Sequence, residues 1–286
     1  MKKILLFIAV LIQLSAVQAA DRFVTFKPVA DALPLATATV SFSDQDYETV
    51  KIAVANLQAD FQRVGLSLTA GTSAEGTSIL VGTLGKNPAI DRLKLKDLKG
   101  KREKFIITNV GNQIVIAGSD RRGTVYGIYE LSSQLGVSPW YWWADAPVTK
   151  RENAWFMKGT YTDGEPAVDF RGLFLNDEAP CLTSWVKNTF GTGYGDHRFY
   201  EKVFELILRL KGNMLWPAMW SWAFYADDPE NGKTADRMGV IIGTSHHEPM
   251  ARNHQEYASA ARSGAPGTTG RTRRTSTGSS ARVSSA

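Results

Sequence analysis

The chain has 286 residues, 43% of them hydrophobic and eight of them tryptophan, enough to bury a core through most of its length as one large domain or two ordinary ones. Its formal charge of +5 does not point to an anionic partner, because Arg262, Arg271, Arg273, Arg274 and Arg282 follow Ala258, where there is no acid and no lysine. The rest of the chain is balanced, which excludes a nucleic-acid face, and lone Cys181 excludes an internal disulfide.

At the N-terminus, Lys2 and Lys3 precede "ILLFIAVLIQLSAV" and the small residues "VQAA". The apolar run is too short to span a membrane and stop, so residues 1–20 read as a secretory signal peptide cut after Ala19 or Ala20. Export to periplasm or medium follows, with no membrane contact beyond the leader, since no later stretch is apolar enough to span.

Residues 21–158 alternate strand and helix patterns and read as an α/β domain. "TATVSF" (37–42) predicts a strand. A helix follows over 46–65, with Val50, Ala53, Val54, Leu57, Phe61 and Val64 at helical spacing before Gly65. A buried strand over 77–85, a hairpin over 104–120 turning at Val110-Gly111-Asn112, and a helix over 121–136 complete it. "VSPWYWWADAP" (137–147) has two readings, a sugar-stacking platform or an aromatic plug between domains, and the plug is favoured by its place before a boundary. Gly159, Gly164 and Pro166 mark residues 159–167 as a linker.

Residues 168–257 repeat one unit. "VDFRGLFLND" (168–177) predicts a strand, and 198–213 a helix with Phe199, Val203, Leu206, Ile207 and Leu210 on one face. A second strand follows over 213–220, a short helix over 233–238, and a third strand over 239–250. Such strand–helix repeats build a parallel sheet and predict the opening of a (β/α)₈ barrel, whose chemistry gathers at the C-terminal strand ends. Asn176-Asp177-Glu178, Trp216 to Trp222 and His246-His247-Glu248 all fall at such ends.

Each cluster has a plainer reading beside the functional one. Adjacent strand residues face opposite ways, so Asp177 and Glu178 are no catalytic pair by themselves, and both could cap the following loop. Adjacent His246 and His247 splay apart in the same way, and neither H-x-H nor H-E-x-x-H spacing is present. Substrate hydrogen bonding is therefore preferred over a metal or a structural role, and neither metal nor cofactor is expected. In "WPAMWSW" (216–222), core packing and a sugar platform compete evenly.

"RGLFLNDEAP" (171–180), "FELILRLKGNMLWPAMW" (204–220) and "GTSHHEPM" (243–250), preceded by "YGIYELSSQLGVSPWYWWAD" (126–145), resemble glycoside hydrolase family 115, the xylan α-1,2-glucuronidases. The resemblance runs from about residue 22 to Tyr257. It implies an N-terminal α/β domain before a (β/α)₈ catalytic barrel, and metal-free, inverting removal of glucuronic acid or its 4-O-methyl ether from glucuronoxylan or aldouronic acids. Carried over residue by residue, it gives Asp177 the place of the strand-one active-site aspartate. Trp220 takes that of the pocket tryptophan and His246 that of the strand-three histidine. Asn176, Glu178, His247 and Glu248 match as further substrate-binding candidates, while Arg171, at a strand start, is not assigned to substrate.

From about Ala258 the text becomes Ala, Gly, Ser, Thr, Pro and Arg, a composition that cannot bury a core. It reads as an out-of-frame translation, or as a genuine basic tail of 258–286 that grips an anionic polymer. On the first reading the chain lacks the later barrel strands that hold the general acid and base, and is inactive. A secreted carbohydrate-binding protein without catalysis, a β-hexosaminidase-like hydrolase and the other α-glucuronidase family are the competing readings. The oligomeric state is not legible.

Overall fold

The computed structural model describes residues 22–72, 76–244 and 253–255. Its main sheet joins β3 (Thr37–Ser41), β4 (Ser67–Ala70), β5 (Thr77–Thr83), β6 (Phe105–Val110), β7 (Gln113–Gly118) and β9 (Tyr161–Asp163) in the order β4-β3-β5-β7-β6-β9. Pairing is parallel from β4 to β7 and antiparallel at β6 and β9. A small antiparallel sheet of β1 (Val24–Thr25), β8 (Trp155–Phe156) and β2 (Leu33–Pro34) lies apart from it.

Period-two burial divides the main sheet into two cores. Ile79 and Val81 of β5, Phe105 and Ile107 of β6, and Ile114 and Ile116 of β7 enter the larger core, while Leu80, Ile106, Val115 and Ala117 turn to a smaller one. The larger side is covered by α1 (Glu48–Val64), stopped by left-handed Gly65, and by α3 (Arg121–Gln134), whose first turn is capped by Asp120 accepting from Gly123 N–H at 2.8 Å. The smaller side is closed by Ile90 of α2 (Pro88–Arg92) and by Leu98.

Strand β4, helix α2 and the short strands β1, β2 and β8 are absent from the sequence reading. Strand β4 buries only Leu68, so its text lacks the alternation that reveals a strand. Helix α2 is five residues long, too short for periodicity, although Asn87 accepting from Ala89 N–H at 3.0 Å and Pro88 at the first position are ordinary start signals. The stretch read as a linker contains β9, which pairs with β6 along residues 161–163.

The second part contains β10 (Gly172–Phe174), α4 (Leu182–Phe190), α5 (His197–Arg209), β11 (Met214–Trp216), α6 (Phe224–Asp227), α7 (Glu230–Met238) and β12 (Ile241–Ile242). The strands form a parallel sheet in the order β10-β11-β12, with Leu173 opposite Leu215 and Leu215 opposite Ile242. The fold is thus an N-terminal α/β domain followed by the first strand–helix repeats of a barrel-type sheet. Helices α4 and α6 were not foreseen. The second strand is shorter than the predicted 213–220, because Pro217 has no N–H with which to continue the ladder. Leu210, placed on the apolar face of α5 by its spacing, is the helix cap and is exposed.

Both parts share one continuous core. Helix α5 sends Phe199, Tyr200, Val203, Phe204 and Ile207 into the cluster that also contains Val125, Ile128 and Leu131 of α3. Two buried polar hubs cross the same boundary. In one, the Arg209 Nη1 donates to Asp60 and its Nε to Glu205, both at 2.8 Å, while Tyr129 and Tyr141 cover the guanidinium. In the other, Glu103 receives Arg122 at 2.6 Å, Arg171 at 2.5 Å and Asn213 at 2.9 Å. No helix among the described residues is long and apolar enough to cross a membrane.

Candidate functional site

In the aromatic stretch before the second part, Trp142 and Trp143 form a plug, whereas Trp140 is 44% exposed. The Trp143 Nε1 donates to the Lys202 carbonyl at 3.2 Å, and the Trp142 and Trp143 rings meet Trp185 at 5.8 and 5.5 Å between centroids. Trp143 also meets Phe199 edge-on. No sugar fits between the Trp142, Trp143 and Trp185 rings so packed.

At the end of β10 the chain continues alongside β11 by one more bond, Leu175 N–H to the Trp216 carbonyl at 3.0 Å, and then presents residues 176–178. Asn176 and Glu178 are exposed, whereas Asp177 is 2% exposed. Its carboxylate points into the loop that follows β11. Oδ1 accepts from Trp220 N–H at 3.1 Å, and Oδ2 accepts from Ser221 N–H at 2.6 Å, Trp222 N–H at 2.9 Å and Ser221 Oγ at 3.1 Å. Three successive amides and a hydroxyl therefore converge on one buried anion, with Oδ2 fully engaged. Asp177 thus holds a loop some forty residues on, whereas the plainer sequence reading has both Asp177 and Glu178 capping the loop that directly follows their own strand.

The same loop is held from its carbonyl side. Asn253 Nδ2 donates to the Trp222 carbonyl at 3.1 Å, and Gln255 Nε2 donates to the Trp220 carbonyl. The Trp222 indole, 1% exposed, donates to the Gly193 carbonyl at 3.1 Å and packs on Phe199. Held this way, the loop buries Trp222 and leaves the Trp220 indole 51% exposed. Trp216, at the end of β11, is 38% exposed and meets Phe174 edge-on at 6.0 Å. The even choice between core and platform in "WPAMWSW" thus resolves residue by residue: Trp222 is core, while Trp216 and Trp220 face outward.

Asp227, at the end of α6, is a second carboxyl in this region. Burial raises its pKa and the Asp177 charge adds to that rise, while the bond it accepts from Ala223 N–H at 2.6 Å opposes it. The sequence reading passed over Asp227, Ser221, Asn253 and Gln255. Ser221 lay inside a segment already singled out, but nothing in its spacing marks a partner for Asp177. His246, His247 and Glu248 lie outside the described residues, and among the described residues no cluster of His, Cys, Asp and Glu is arranged to hold a metal ion. Arg171 is committed to Glu103 and to the Lys211 and Val168 carbonyls, at the opposite end of its strand from Asp177.

The family model described as glycosyl hydrolase family 115 matches residues 163–275, and the one described as glycosyl hydrolase family 67 N-terminus matches residues 30–131. The first match extends past Ala258, where the sequence reading ends the resemblance. Among solved structures, a family GH115 4-O-methyl-α-glucuronidase with specificity for decorated arabinogalactans is similar at 35% identity and a TM-score of 0.69, over 77% of this chain and 30% of its own length. A GH138 enzyme targeting pectin rhamnogalacturonan II is similar at 14% identity and a TM-score of 0.43, over 72% of this chain and 30% of its own, a likeness that carries no argument. No curated protein matches. The chain therefore spans under a third of the length of the GH115 structure that it resembles.

Proposed function

This chain belongs to glycosyl hydrolase family 115, and on that premise we propose that it carries one wall of the site of an exported α-glucuronidase. The substrate class is a polysaccharide bearing (4-O-methyl-)glucuronic acid side chains, with glucuronoxylan as the first candidate. The observation that carries this reading is Trp220, an indole left exposed at the C-terminal ends of parallel strands by a loop whose 220–222 amides all end on Asp177. Its flat face suits the apolar face of a sugar ring, the usual use of a rigid exposed aromatic at such a place. Asn176 and Glu178, exposed at the end of the first strand, would bind hydroxyls, and His246, His247 and Glu248 remain further substrate-binding candidates from the sequence.

An inverting glycosidase needs a carboxylic acid to protonate the leaving oxygen and a carboxylate to activate water, roughly 6.5–9.5 Å apart. Among the described residues, Asp177 is bonded to the loop after the second strand and is not assigned to that pair. Affinity electrophoresis in gels containing glucuronoxylan, with debranched xylan as control, tests the reading. Retardation only by the branched polymer agrees with it. Equal mobility in both gels sinks it, and release of uronic acid would show that the chain holds its acid and base. The arabinogalactan specificity of the GH115 structure favours one other substrate, so a gel containing uronic-acid-decorated arabinogalactan belongs in the same experiment.

A further inference from the structure

We propose that Asp177 is a positioning residue: its carboxylate fixes the Trp220 indole as a sugar platform and exchanges no proton with the substrate. The inference rests on the platform reading above and deepens it. A proton donor or base needs a free lone pair aimed at the reacting atom, in a position that the substrate reaches. Asp177 is 2% exposed, out of that reach, and its Oδ2 already accepts three bonds while Oδ1 accepts one; three of the four donors are the successive backbone amides of residues 220–222. That arrangement is an anion held in a backbone nest, in which the charge sets the loop conformation.

Two other contacts make Trp220 the group so positioned. Trp222, two residues on, is pinned by its Nε1 bond to Gly193 and by packing on Phe199, so the loop cannot shift as a whole. Gln255 closes the opposite side by donating to the Trp220 carbonyl. Between these pins, the Trp220 and Ser221 amides both end on Asp177, which ties the backbone that carries the indole to that carboxylate.

Asp177→Asn tests the assignment in the full chain. It keeps the shape but turns one oxygen into a donor facing amide donors. The indole signal is isolated by subtracting the emission of the matching Trp220→Phe protein, and native folding is checked by near-ultraviolet circular dichroism. The expected result is greater acrylamide quenching and lower anisotropy of Trp220, without any ligand. Affinity for a xylotriose carrying one 4-O-methylglucuronic acid branch should fall about ten-fold, the scale of one charge-assisted bond lost. Gln255→Ala, which leaves Asp177 intact, should loosen the same indole in the same direction, and it keeps the question open to an answer if Asp177→Asn does not fold.

An unchanged Trp220 signal in both variants would overturn the inference. So would uronic acid release that vanishes in Asp177→Asn while binding is kept, since that would make Asp177 a proton carrier. If the unaltered chain fails to bind the branched xylotriose while Trp220 still loosens in the variants, the substrate reading falls and the positioning role stands.

Discussion

Replacing Arg209 by Met strips the charge from the hub between α1, α3 and α5 while keeping a similar unbranched stem. The Arg209 side chain is 2% exposed, and its partners Asp60 and Glu205 are 0% and 7% exposed. Burial would lower the guanidinium pKa, but the charges of Asp60 and Glu205 outweigh it and hold the group above its ordinary range. Tyr141 belongs to the same network: burial and the Glu205 charge push its hydroxyl up to about 12. Removing one partner of a buried pair costs about 3–5 kcal/mol, because the other charge is left without compensation. Asp60 keeps Arg63 at 2.7 Å and Glu205 keeps the Tyr141 hydroxyl at 2.9 Å, which places Arg209→Met at the low end, about 3 kcal/mol. Against a total stability of about 5–15 kcal/mol, that is a large fraction. Urea titration followed by far-ultraviolet circular dichroism should show a lower midpoint at unchanged slope. Adding Glu205→Gln should recover part of the loss, since the orphaned carboxylate goes with the cation. A loss below about 1 kcal/mol, the scale of an exposed ion pair, would refute the argument that this hub joins the two parts.

Glu103 gives a pH signature. Burial alone would raise its pKa, but hydrogen bonds from Asn213 and Arg171 and the Arg122 charge bring it below the ordinary range. A depressed carboxylate stabilises fully above its unfolded pKa and loses that contribution as pH falls through the native value. The stability gap between the unaltered protein and Glu103→Gln should therefore be constant near neutrality and close only below about pH 4, read from urea midpoints across pH. Asp196→Ala removes the cap of α5, which accepts from Arg198 and Phe199 N–H at 3.1 Å each, and should cost about 1–2 kcal/mol by the same titration. Gly172→Ala should disrupt the β10–β11 pairing, since a Cβ there would collide with the Met214 carbonyl oxygen; amide exchange at Met214, which donates to the Arg171 carbonyl, should quicken, and an unchanged rate would contradict this.

The helices α1, α3 and α5 were legible because each buries a stripe recurring at helical spacing and is closed or capped by residues that advertise it, such as Gly65 and Asp120. The central strands were legible as β-branched apolar runs bounded by glycine and turn signals, because both faces of the sheet are buried there. Strand β4 and helix α2 were not, because one buries a single side chain and the other is barely longer than a turn. At the site, strand-end placement was visible in the text of residues 176–178 and 216–222. The division of labour among those residues was not. Whether Trp220 or Trp222 faces solvent depends on three amides meeting one carboxylate some forty residues away, and no spacing encodes that. The Arg209 and Glu103 hubs were invisible for the same reason, since Asp60–Arg209 and Glu103–Asn213 are pairings across distant sequence.

If Trp220 marks a surface that reads uronic acid branches, the branch alone decides binding. Isothermal titration of the full chain with a xylotriose carrying a single α-1,2-linked 4-O-methylglucuronic acid, beside the same xylotriose without the branch, addresses this directly. The predicted result is saturable heat from the branched sugar alone, and its loss in Trp220→Ala. Equal heats from the two sugars, or saturable binding that survives Trp220→Ala, would contradict it.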